Sequence, residues 1–439
     1  MAKAQEEWRR AVIVGGGAGG LQLAIRLAKR RERDRLHVTL VDKNDTHLWK
    51  PLLHEVAAGT MYPSTDEVDY LALAHWHGFT FCHGPFEGLD RDKREVLVGA
   101  VRNADGIVIP PRRLPYDLAV VAVGSITNSF GVPGVEEYAF RLDDAQEAEQ
   151  FHRRLVHHYL KANYAPPEER PDHLDVVIVG GGATGVELAA ELRSATRVLT
   201  AFGLDNLDAD SFLRLTILNM DPRLLLQLPE QISEAVTEEL HRLGVAVMNS
   251  EQVVKVAPDH VETKNGSHYP ADLVVWAGGV KAADYLKNLN GLETNKHNQI
   301  VVTETLQTPH DSRVLAMGDC AAAPWLGRNK TVPPRAQAAE QQARYLARAI
   351  PRLLDGQEVR PFRYNDLGSF VSLGEENTIG TLMGYLRGHR LRLEGFIARL
   401  IYRWLYKRHQ AAMFGWSAAI LTTIGNWLRG TSRPRVKLH

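Results

Sequence analysis

Two glutamines, Gln337 and Gln341, lie four positions apart in segment 332–341 and would share one face of a helix. Alanines around them favour a helix and add little bulk, so a flat group could approach that face closely. Pro333 and Pro334 are suited to open the helix, whose first N–H groups would then carry a partial positive charge. Taken alone, the segment fits an ordinary surface helix equally well.

A glycine-rich loop follows the first apolar strand pattern, residues 11–14, and precedes a predicted helix, residues 21–30. Its members are Gly15, Gly16, Gly17, Ala18, Gly19 and Gly20, which contain the spacing Gly-x-Gly-x-x-Gly. Between a strand and a helix, this spacing lets a pyrophosphate approach the backbone at a helix N-terminus. The next predicted strand, 37–41, ends at Asp42, whose carboxylate can accept hydrogen bonds from an adenosine ribose. This first loop therefore predicts a dinucleotide site.

The pattern recurs after a second predicted strand, 175–179, and before a predicted helix, 186–199. The second loop consists of Gly180, Gly181, Gly182, Ala183, Thr184 and Gly185. After the following strand, 215–218, the position expected to be acidic is Asn219, which accepts a ribose hydroxyl but repels a 2′-phosphate less than a carboxylate would. Asn219 or Asp221 could instead cap a turn, and Arg223 could meet a phosphate. The sequence thus predicts NADH as the second nucleotide and leaves its preference over NADPH open.

Two segments indicate that the chain returns to the first nucleotide domain. Residues 118–123 form a strand pattern that runs into Gly124, and residues 313–317 form another that ends in Gly318 and Asp319. A carboxylate at such a strand end can hold the ribityl hydroxyls of FAD, although Gly-Asp after a strand is often only a turn. With two fingerprints in this order, we expect a flavin domain into which an NADH domain is inserted.

Composition agrees with a folded protein of two to three domains, since 439 residues are 44% hydrophobic and 24% charged. Cys82 and Cys320 are far apart and form no metal-ligand pattern, which favours a reducing setting without a disulfide framework. The charged N-terminus lacks the apolar core of a secretion signal, so a cytosolic location is expected. His47, His54, His152, His157 and His158 form no convincing metal site, and no metal is predicted.

The C-terminal tail differs in charge from the rest of the chain. Residues 387–439 contain eleven Lys/Arg and one acid, Glu394, a balance of +10 in a chain whose net charge is zero. Apolar residues at helical spacing between 396 and 405 predict an amphipathic helix with basic flanks, suited to an anionic membrane surface. Residues 411–428 carry no charge, yet their polar content favours lying in the interface over spanning it. Packing against a partner subunit is the alternative, and nucleic acid is not expected because no recognisable fold supports it.

Taken together, these motifs resemble the two-dinucleotide flavoprotein superfamily and, more narrowly, the type II (non-proton-pumping) NADH:quinone oxidoreductases. The resemblance covers nearly the whole chain. Besides both glycine loops, it rests on residues 47–59, 123–134, 276–279, 318–321 and 334–341. Asn219 is the one clear mismatch.

The resemblance implies roles at matching positions. Asp42 and Lys43 would lie by the FAD adenosine, Asp319 by its ribityl chain, and Ala336 and Gln337 by the flavin ring. Gln337 and Gln341 would line the quinone pocket. Glu187 would lie near the nicotinamide and the flavin; the alternative is an acid in the first turn of a helix that is stabilised only by the helix dipole. The members of the two loops, among them Gly180, Gly182 and Gly185, would also bind the cofactors. Further cofactor-binding positions would be Lys50, Gly124 and Gly278.

We therefore predict an α/β fold of two Rossmann-like domains with an amphipathic C-terminal segment. The predicted boundaries are 1–140 and 280–345 for FAD, 141–279 for NADH, and 346–439 for membrane association. The predicted enzyme oxidises NADH by hydride transfer to FAD and reduces a membrane quinone such as ubiquinone, peripherally on the cytoplasmic face of the inner membrane. A homodimer is compatible with this reading. The alternatives are an NAD(P)H-dependent reductase with a soluble protein acceptor and a redox-regulated interaction module.

Overall fold

The computed structural model describes residues 8–61, 63, 67–201, 204, 206–373, 377–382, 391–394, 411, 413–415 and 423. These residues form two compact units. Unit 1 contains the described parts of Met1–Trp49, Glu67–Ile126 and Lys281–Asp366. Unit 2 contains those of Lys50–Asp66, Thr127–Val280 and Leu367–His439. The long segment of unit 2 is thus inserted between two segments of unit 1.

Unit 1 is built on a six-stranded sheet. In spatial order its strands are Gln307–Thr308, Asp311–Ala316, Leu118–Val121, Arg9–Val14, Leu36–Asp42 and Thr80–His83. All neighbours are parallel except the first pair. The central strand Leu118–Val121 is apolar throughout and buried on both faces, as parallel sheets require.

The remaining elements of unit 1 surround this sheet. Its helices are Gly20–Ala28, Arg31–Asp34, Tyr70–His77 and Ala336–Leu354, with short 3₁₀ turns at Asp284–Asn288 and Gly318–Cys320. A separate antiparallel sheet contains Phe86–Asp90, Glu95–Val98 and Arg112–Pro115. Strand pairs complete the unit at Val101–Asn103 with Gly106–Ile109, Thr46–His47 with Val68–Asp69, and Ile300–Val301 with Ala321–Ala322.

Unit 2 repeats the plan with a five-stranded parallel sheet. Its strands are, in order, Ala139–Phe140, Leu273–Trp276, Leu174–Val179, Leu213–Asn219 and Val245–Asn249. Two antiparallel sheets accompany it, one of Val253–Val256, His260–Thr263 and His268–Pro270, the other of Gly368–Leu373, Asn377–Leu382 and Leu391–Glu394. The helices are Leu53–Ala58, Val135–Tyr138, Ala145–Tyr164, Ala183–Ala201, Ala209–Phe212 and Glu230–Arg242, and 3₁₀ turns lie at Lys50–Leu52 and Pro167–Glu169.

Three sequence expectations about local structure need correction. The helix of the two glutamines begins at Ala336, because Arg335 is extended with φ −152° and separates it from the prolines, which therefore do not open it. The charged residues around 150–170 predict a solvated helix, but the helix Ala145–Tyr164 buries one face, which includes Phe151 and Leu155. The sheet that begins at Gly368–Leu373 was not foreseen, since that region was assigned to the membrane segment.

The predicted amphipathic helix at 396–405 lies outside the described residues, as does nearly all of 411–428. Within the described part of the chain, no helix combines the length and apolar character needed to cross a bilayer.

Candidate active site

The two glycine loops are constrained in the same way, each within its own unit. A Cβ on Gly15 would lie 2.4 Å from the Ala122 carbonyl oxygen, and one on Gly180 would lie 2.4 Å from that of Ala277. Both glycines have positive φ, +102° and +123°, which an L side chain rarely adopts. Each loop therefore turns tightly at its first glycine and passes close to the neighbouring strand end.

The middle and last glycines of each loop also correspond. A Cβ on Gly20 would meet the Gly15 oxygen at 1.9 Å, and one on Gly185 would meet the Gly180 oxygen at 2.2 Å. At Gly17 and Gly182, by contrast, a Cβ would meet nothing within 4 Å. The middle glycine of each loop thus faces open space in front of a helix N-terminus, where a pyrophosphate group would fit.

Asp42 ends strand Leu36–Asp42, as predicted, and its carboxylate contacts the first loop. Its Oδ2 accepts a hydrogen bond from the Gly16 N–H at 2.6 Å, and its Oδ1 accepts one from Asn44 at 2.8 Å. Burial raises the pKa of Asp42, and these two N–H donors oppose the rise. Lys43 is exposed beside it, with its backbone oxygen 3.0 Å from His83 Nε2.

The predicted Gly-Asp turn is the 3₁₀ segment Gly318–Cys320 at the end of strand Asp311–Ala316. Asp319 Oδ2 accepts a hydrogen bond from Ser125 Oγ at 2.8 Å, and its backbone oxygen accepts one from Gln299 at 2.9 Å. Gly124, just before Ser125, has φ +75° and open space where a Cβ would point. Two strand ends of unit 1 therefore bring a carboxylate and an open backbone together.

A glutamine that the sequence analysis missed anchors the helix Ala336–Leu354, hereafter the Gln helix, to this turn. Gln342 is 1% exposed, and its Oε1 accepts a hydrogen bond from the Gly318 N–H at 2.6 Å. Ala339 packs beside it, since a Cβ on Gly19 would lie 3.0 Å from the Ala339 methyl carbon. A small residue at 339 thus lets the first loop and the Gln helix approach closely. Nothing in the sequence distinguished Gln342 from its neighbour Gln341.

Gln337 and Gln341 are both partly exposed near the start of the Gln helix. The carboxamide of Gln341 pairs with the backbone of Asn365, donating to its oxygen at 2.8 Å and accepting from its N–H at 3.0 Å. Arg335, which precedes the helix, lies 3.3 Å from Asp366. Gln341 therefore holds the segment that ends unit 1, in addition to any contact with a substrate.

Asn219 ends strand Leu213–Asn219 at the position in unit 2 that corresponds to Asp42 in unit 1. It is 4% exposed, and its Nδ2 donates to the Asp221 backbone oxygen at 3.1 Å and to Asn249 Oδ1 at 2.9 Å. A Cβ on Gly181 would lie 2.6 Å from the Asn219 Cγ, so the second loop passes directly over this carboxamide. Asn219 thus occupies, with a neutral side chain, the position that Asp42 has in unit 1.

The guanidinium of Arg223 contacts the backbone of its own turn. Its NH2 donates to the backbone oxygens of Leu226 and Leu228, each at 3.0 Å. These bonds hold the guanidinium within its own turn. Of the two residues, Asn219 lies against the second loop, whereas Arg223 is held in the turn that follows.

Glu187 lies in the first turns of helix Ala183–Ala201 and is 8% exposed. Its Oε1 accepts a hydrogen bond from the Ser372 N–H at 3.0 Å, and its Oε2 lies 3.8 Å from Nδ1 of His54. Burial raises the pKa of Glu187 to about 8, the Ser372 N–H opposes the rise, and the charges of Glu55 and Glu191 add to it. Burial also lowers the pKa of His54 to about 4, so both groups are neutral near pH 7 and do not form an ion pair.

Two further predicted positions lie in unit 2. Lys50 pairs with Asp143 at 3.2 Å, and the same carboxylate accepts a hydrogen bond from the Thr127 N–H at 2.8 Å. Gly278 follows strand Leu273–Trp276, where a Cβ would lie 3.2 Å from the Trp276 indole nitrogen. Both residues belong to ordered turns at strand or helix ends of their own unit.

Both cysteines are free and buried. Burial raises the pKa of the Cys320 thiol to about 12 and raises that of Cys82 as well. Cys320 Sγ donates to the backbone oxygen of Met317 at 3.2 Å beside Asp319, as expected for a small buried residue. Neither thiol has the thiolate character that a disulfide relay requires.

The histidines of the sequence analysis serve other purposes in the described structure. His47 Nδ1 lies 3.0 Å from the Gly16 oxygen, and His152 lies against Gly59. A different set, His260, Glu262 and His268, brings potential metal-ligand atoms within 4.8 Å of one another. Lys255 already pairs with Glu262 at 2.6 Å, which places a competing cation at that carboxylate.

Comparison with known proteins agrees with this geometry. Residues 9–343 match the family described as pyridine nucleotide-disulphide oxidoreductase. The chain is 38% identical to a type II NADH:quinone oxidoreductase of Haemophilus influenzae, over 98% of this chain and 100% of that protein. It is 28% identical to one of Staphylococcus saprophyticus, over 86% and 91% of the two chains.

A solved structure has a similar fold at low sequence identity. NDH2 from Plasmodium falciparum in complex with NADH superposes with a TM-score of 0.80 at 19% identity, covering 98% of this chain and 100% of that one. This likeness supports the α/β fold described above.

Proposed function

Because the chain belongs to the pyridine nucleotide-disulphide oxidoreductases, and among them to the type II NADH:quinone oxidoreductases, we propose that it oxidises NADH and reduces a membrane quinone. FAD is its resident cofactor in this proposal. Proton pumping is not part of this proposal. The matched constraints on two glycine loops are the observation that carries the proposal.

Unit 1 is the FAD-binding unit in this proposal. The open backbone at Gly17 would take the pyrophosphate, Asp42 the adenosine ribose, and Asp319 the ribityl chain, with Lys43 nearby. When bound, FAD supplies an acceptor for the NADH hydride and a donor of electrons to quinone. The Gln helix, held to the Gly318 turn by Gln342, would bring Ala336 and the partial positive charge of its N-terminus to the pyrimidine edge.

Unit 2 is the NADH-binding unit. The second loop would take the pyrophosphate at Gly182, while Asn219 would accept a hydrogen bond from the adenosine ribose. Preference for NADH over NADPH is then set by a neutral carboxamide and not by charge repulsion. Lys50 and Gly278 keep their proposed places beside the nucleotides.

We assign Glu187 the role of a neutral carboxyl near the reacting groups. With a pKa raised to about 8, it holds a proton near pH 7 and can donate a hydrogen bond. Such a group can orient a substrate and supply a proton when quinone becomes quinol. Gln337 and Gln341 would line the quinone side, where Gln341 is already held by Asn365.

The basic tail is the proposed membrane attachment. Its cations would bind an anionic leaflet on the cytoplasmic face of the inner membrane, so that the enzyme is peripheral or monotopic. Deleting residues 395–439 tests this directly. We expect the truncated protein to stay in the supernatant when vesicles of anionic lipid are sedimented. It should still oxidise NADH with a soluble dye as acceptor. Undiminished sedimentation with vesicles would contradict the proposed attachment. Turnover of a short-chain quinone by the truncated protein would show whether the reaction survives without the tail.

A further inference from the structure

A polar pocket of about 320 Å³ opens in unit 1, at the edge of the sheet opposite the first loop. Strands Leu118–Val121 and Asp311–Ala316 begin at this edge, whereas their other ends lead to Gly124 and Gly318. The residues that line the pocket are Arg91, Arg94, Tyr116, His310, Asp311, Ser312 and Arg313. We call it the Arg91 pocket. It belongs to none of the nucleotide positions described above.

One ion pair forms the frame of the Arg91 pocket. Arg91 Nε donates to Asp311 Oδ2 at 3.1 Å, and its NH1 donates to the Asn290 backbone oxygen at 2.9 Å. The other carboxylate oxygen of Asp311 accepts a hydrogen bond from the Arg313 N–H at 3.0 Å. The charges of Arg91 and Asp311 therefore cancel, and both side chains are held in place.

Three other donors in the pocket remain available. The Tyr116 hydroxyl is buried, with the residue 1% exposed, and has no hydrogen-bond partner in the described structure. Burial raises the pKa of Tyr116 to about 12; the charges of Asp311 and Asp90 add to the rise, and those of Arg91 and Arg94 oppose it. The guanidinium groups of Arg94 and Arg313 are exposed and make no hydrogen bond or ion pair with described residues.

These donors share one chemical preference. Two guanidinium groups without a countercharge leave a local excess of positive charge, and their planar N–H pairs match the oxygens of a phosphate. A buried hydroxyl without a partner costs free energy, on the order of 1–3 kcal/mol, which an acceptor in the pocket would recover. The cavity volume lies at the lower end of the roughly 300–1,000 Å³ found for small-molecule sites.

We propose that the Arg91 pocket binds the dianionic phosphate group of a small molecule, held by Arg94, Arg313 and the Tyr116 hydroxyl. The two strands that begin at the pocket end at the turns proposed to hold FAD. A phosphate bound here would contact these two strands at the ends opposite the proposed FAD site. Because it would bind only the folded state, it would raise the free energy of unfolding. The proposal does not depend on which nucleotides the two loops bind.

Calorimetric titration of the full-length, FAD-loaded protein with inorganic phosphate tests the proposal, with ribose 5-phosphate titrated in parallel. We expect saturable binding of one ligand per chain, at least tenfold weaker in Arg94→Gln and in Arg313→Gln. Stronger binding of the ester than of phosphate would identify a phosphorylated metabolite as the source, and equal binding would identify the free ion. Arg102→Gln is the matched control, because Arg102 is an exposed arginine of unit 1 outside the pocket. It should bind like the wild type.

Tyr116→Phe keeps the proposal testable even if an arginine variant folds poorly. This change removes only the hydroxyl, so the ligand-free variant should melt no lower than the wild type and should bind phosphate several-fold more weakly. Equal affinities in the wild type and all the pocket variants, or no saturable binding to the wild type, would overturn the proposal. A clear loss of ligand-free stability in Tyr116→Phe would contradict its premise that the hydroxyl lacks a partner.

Discussion

The carboxamide of Asn219 pairs with that of Asn249, the last residue of the neighbouring strand. Asn219 Nδ2 donates to Asn249 Oδ1 at 2.9 Å and to the Asp221 backbone oxygen at 3.1 Å, while the Asp221 N–H lies 3.4 Å from Asn219 Oδ1. The backbone of Asp221 therefore determines which end of the amide is oxygen and which is nitrogen. Its nitrogen is occupied, and its oxygen is the atom left to accept from a ribose.

Asn219→Asp should increase the preference for NADH over NADPH. A carboxylate at this position accepts the 2′-hydroxyl and repels a 2′-phosphate, and the Asn249 amide can turn to donate to it. We expect the ratio of kcat/KM for NADH to that for NADPH to rise at least tenfold, about 1.4 kcal/mol of discrimination. Steady-state kinetics with both nucleotides measures it.

Asn249→Ala is the second arm of the same test. It removes one partner of the Asn219 amide nitrogen, which could then donate to a 2′-phosphate, so the ratio should fall below that of the wild type. If both variants keep the wild-type ratio, Asn219 does not contact the nucleotide ribose.

Glu187→Gln should lower turnover with NADH and leave FAD bound. Glutamine keeps an acceptor for the Ser372 N–H, so the local fold is retained, but it cannot donate a proton. We expect kcat to fall by at least tenfold with little change in the flavin content measured by absorbance. Unchanged kcat and KM would show that this carboxyl has no part in the reaction.

The pH dependence of stability provides an independent test of the neutral Glu187. Its folded pKa, about 8, lies above the unfolded value, so the folded state binds the proton more tightly. The resulting stability is fully present below pH 4.5 and is lost as the pH rises toward 8. Relative to Glu187→Gln, the wild type should therefore melt progressively lower between pH 5 and pH 8.5. A constant difference in Tm across that range would mean that Glu187 is ionised throughout.

Gln342→Leu should weaken FAD binding. Gln341→Leu, at the neighbouring position, is the matched control and should retain FAD. The first change leaves the Gly318 N–H without its acceptor at a buried site, at a cost of about 1–3 kcal/mol. The second removes a pair of hydrogen bonds to Asn365 at the surface. We expect Gln342→Leu alone to lose flavin on gel filtration. Equal flavin retention in both variants would contradict the anchoring role of Gln342.

Much of the fold followed from local sequence signals, and the reason is visible at the loops. Close backbone contacts leave no room for a Cβ at Gly15, Gly20, Gly180 and Gly185. The spacing of these glycines in the sequence therefore indicates the tight turn. Asp42 and Asp319 were predicted to lie at or just after strand ends, and both do. Their positions depend on few residues, which made them predictable.

Other contacts depend on pairings that a linear sequence does not reveal. Asn249 meets Asn219 because two parallel strands align in register, and Ser372 reaches Glu187 from a strand 185 positions away. Gln342 differs from Gln341 only by helical phase, which depends on what the Gln helix packs against. The Arg91 pocket is lined by residues from a hairpin turn and from the beginnings of two strands. No single sequence motif could therefore predict it.

The reduction of quinone by NADH is the central claim, and it can be measured in one assay. NADH and NADPH are supplied in parallel to the full-length, FAD-loaded protein with a short-chain quinone, and the quinol formed is counted against the nucleotide oxidised. We expect one quinol for each NADH oxidised and slower turnover with NADPH. Oxidation of NADH with a soluble dye but without quinol formation would contradict it.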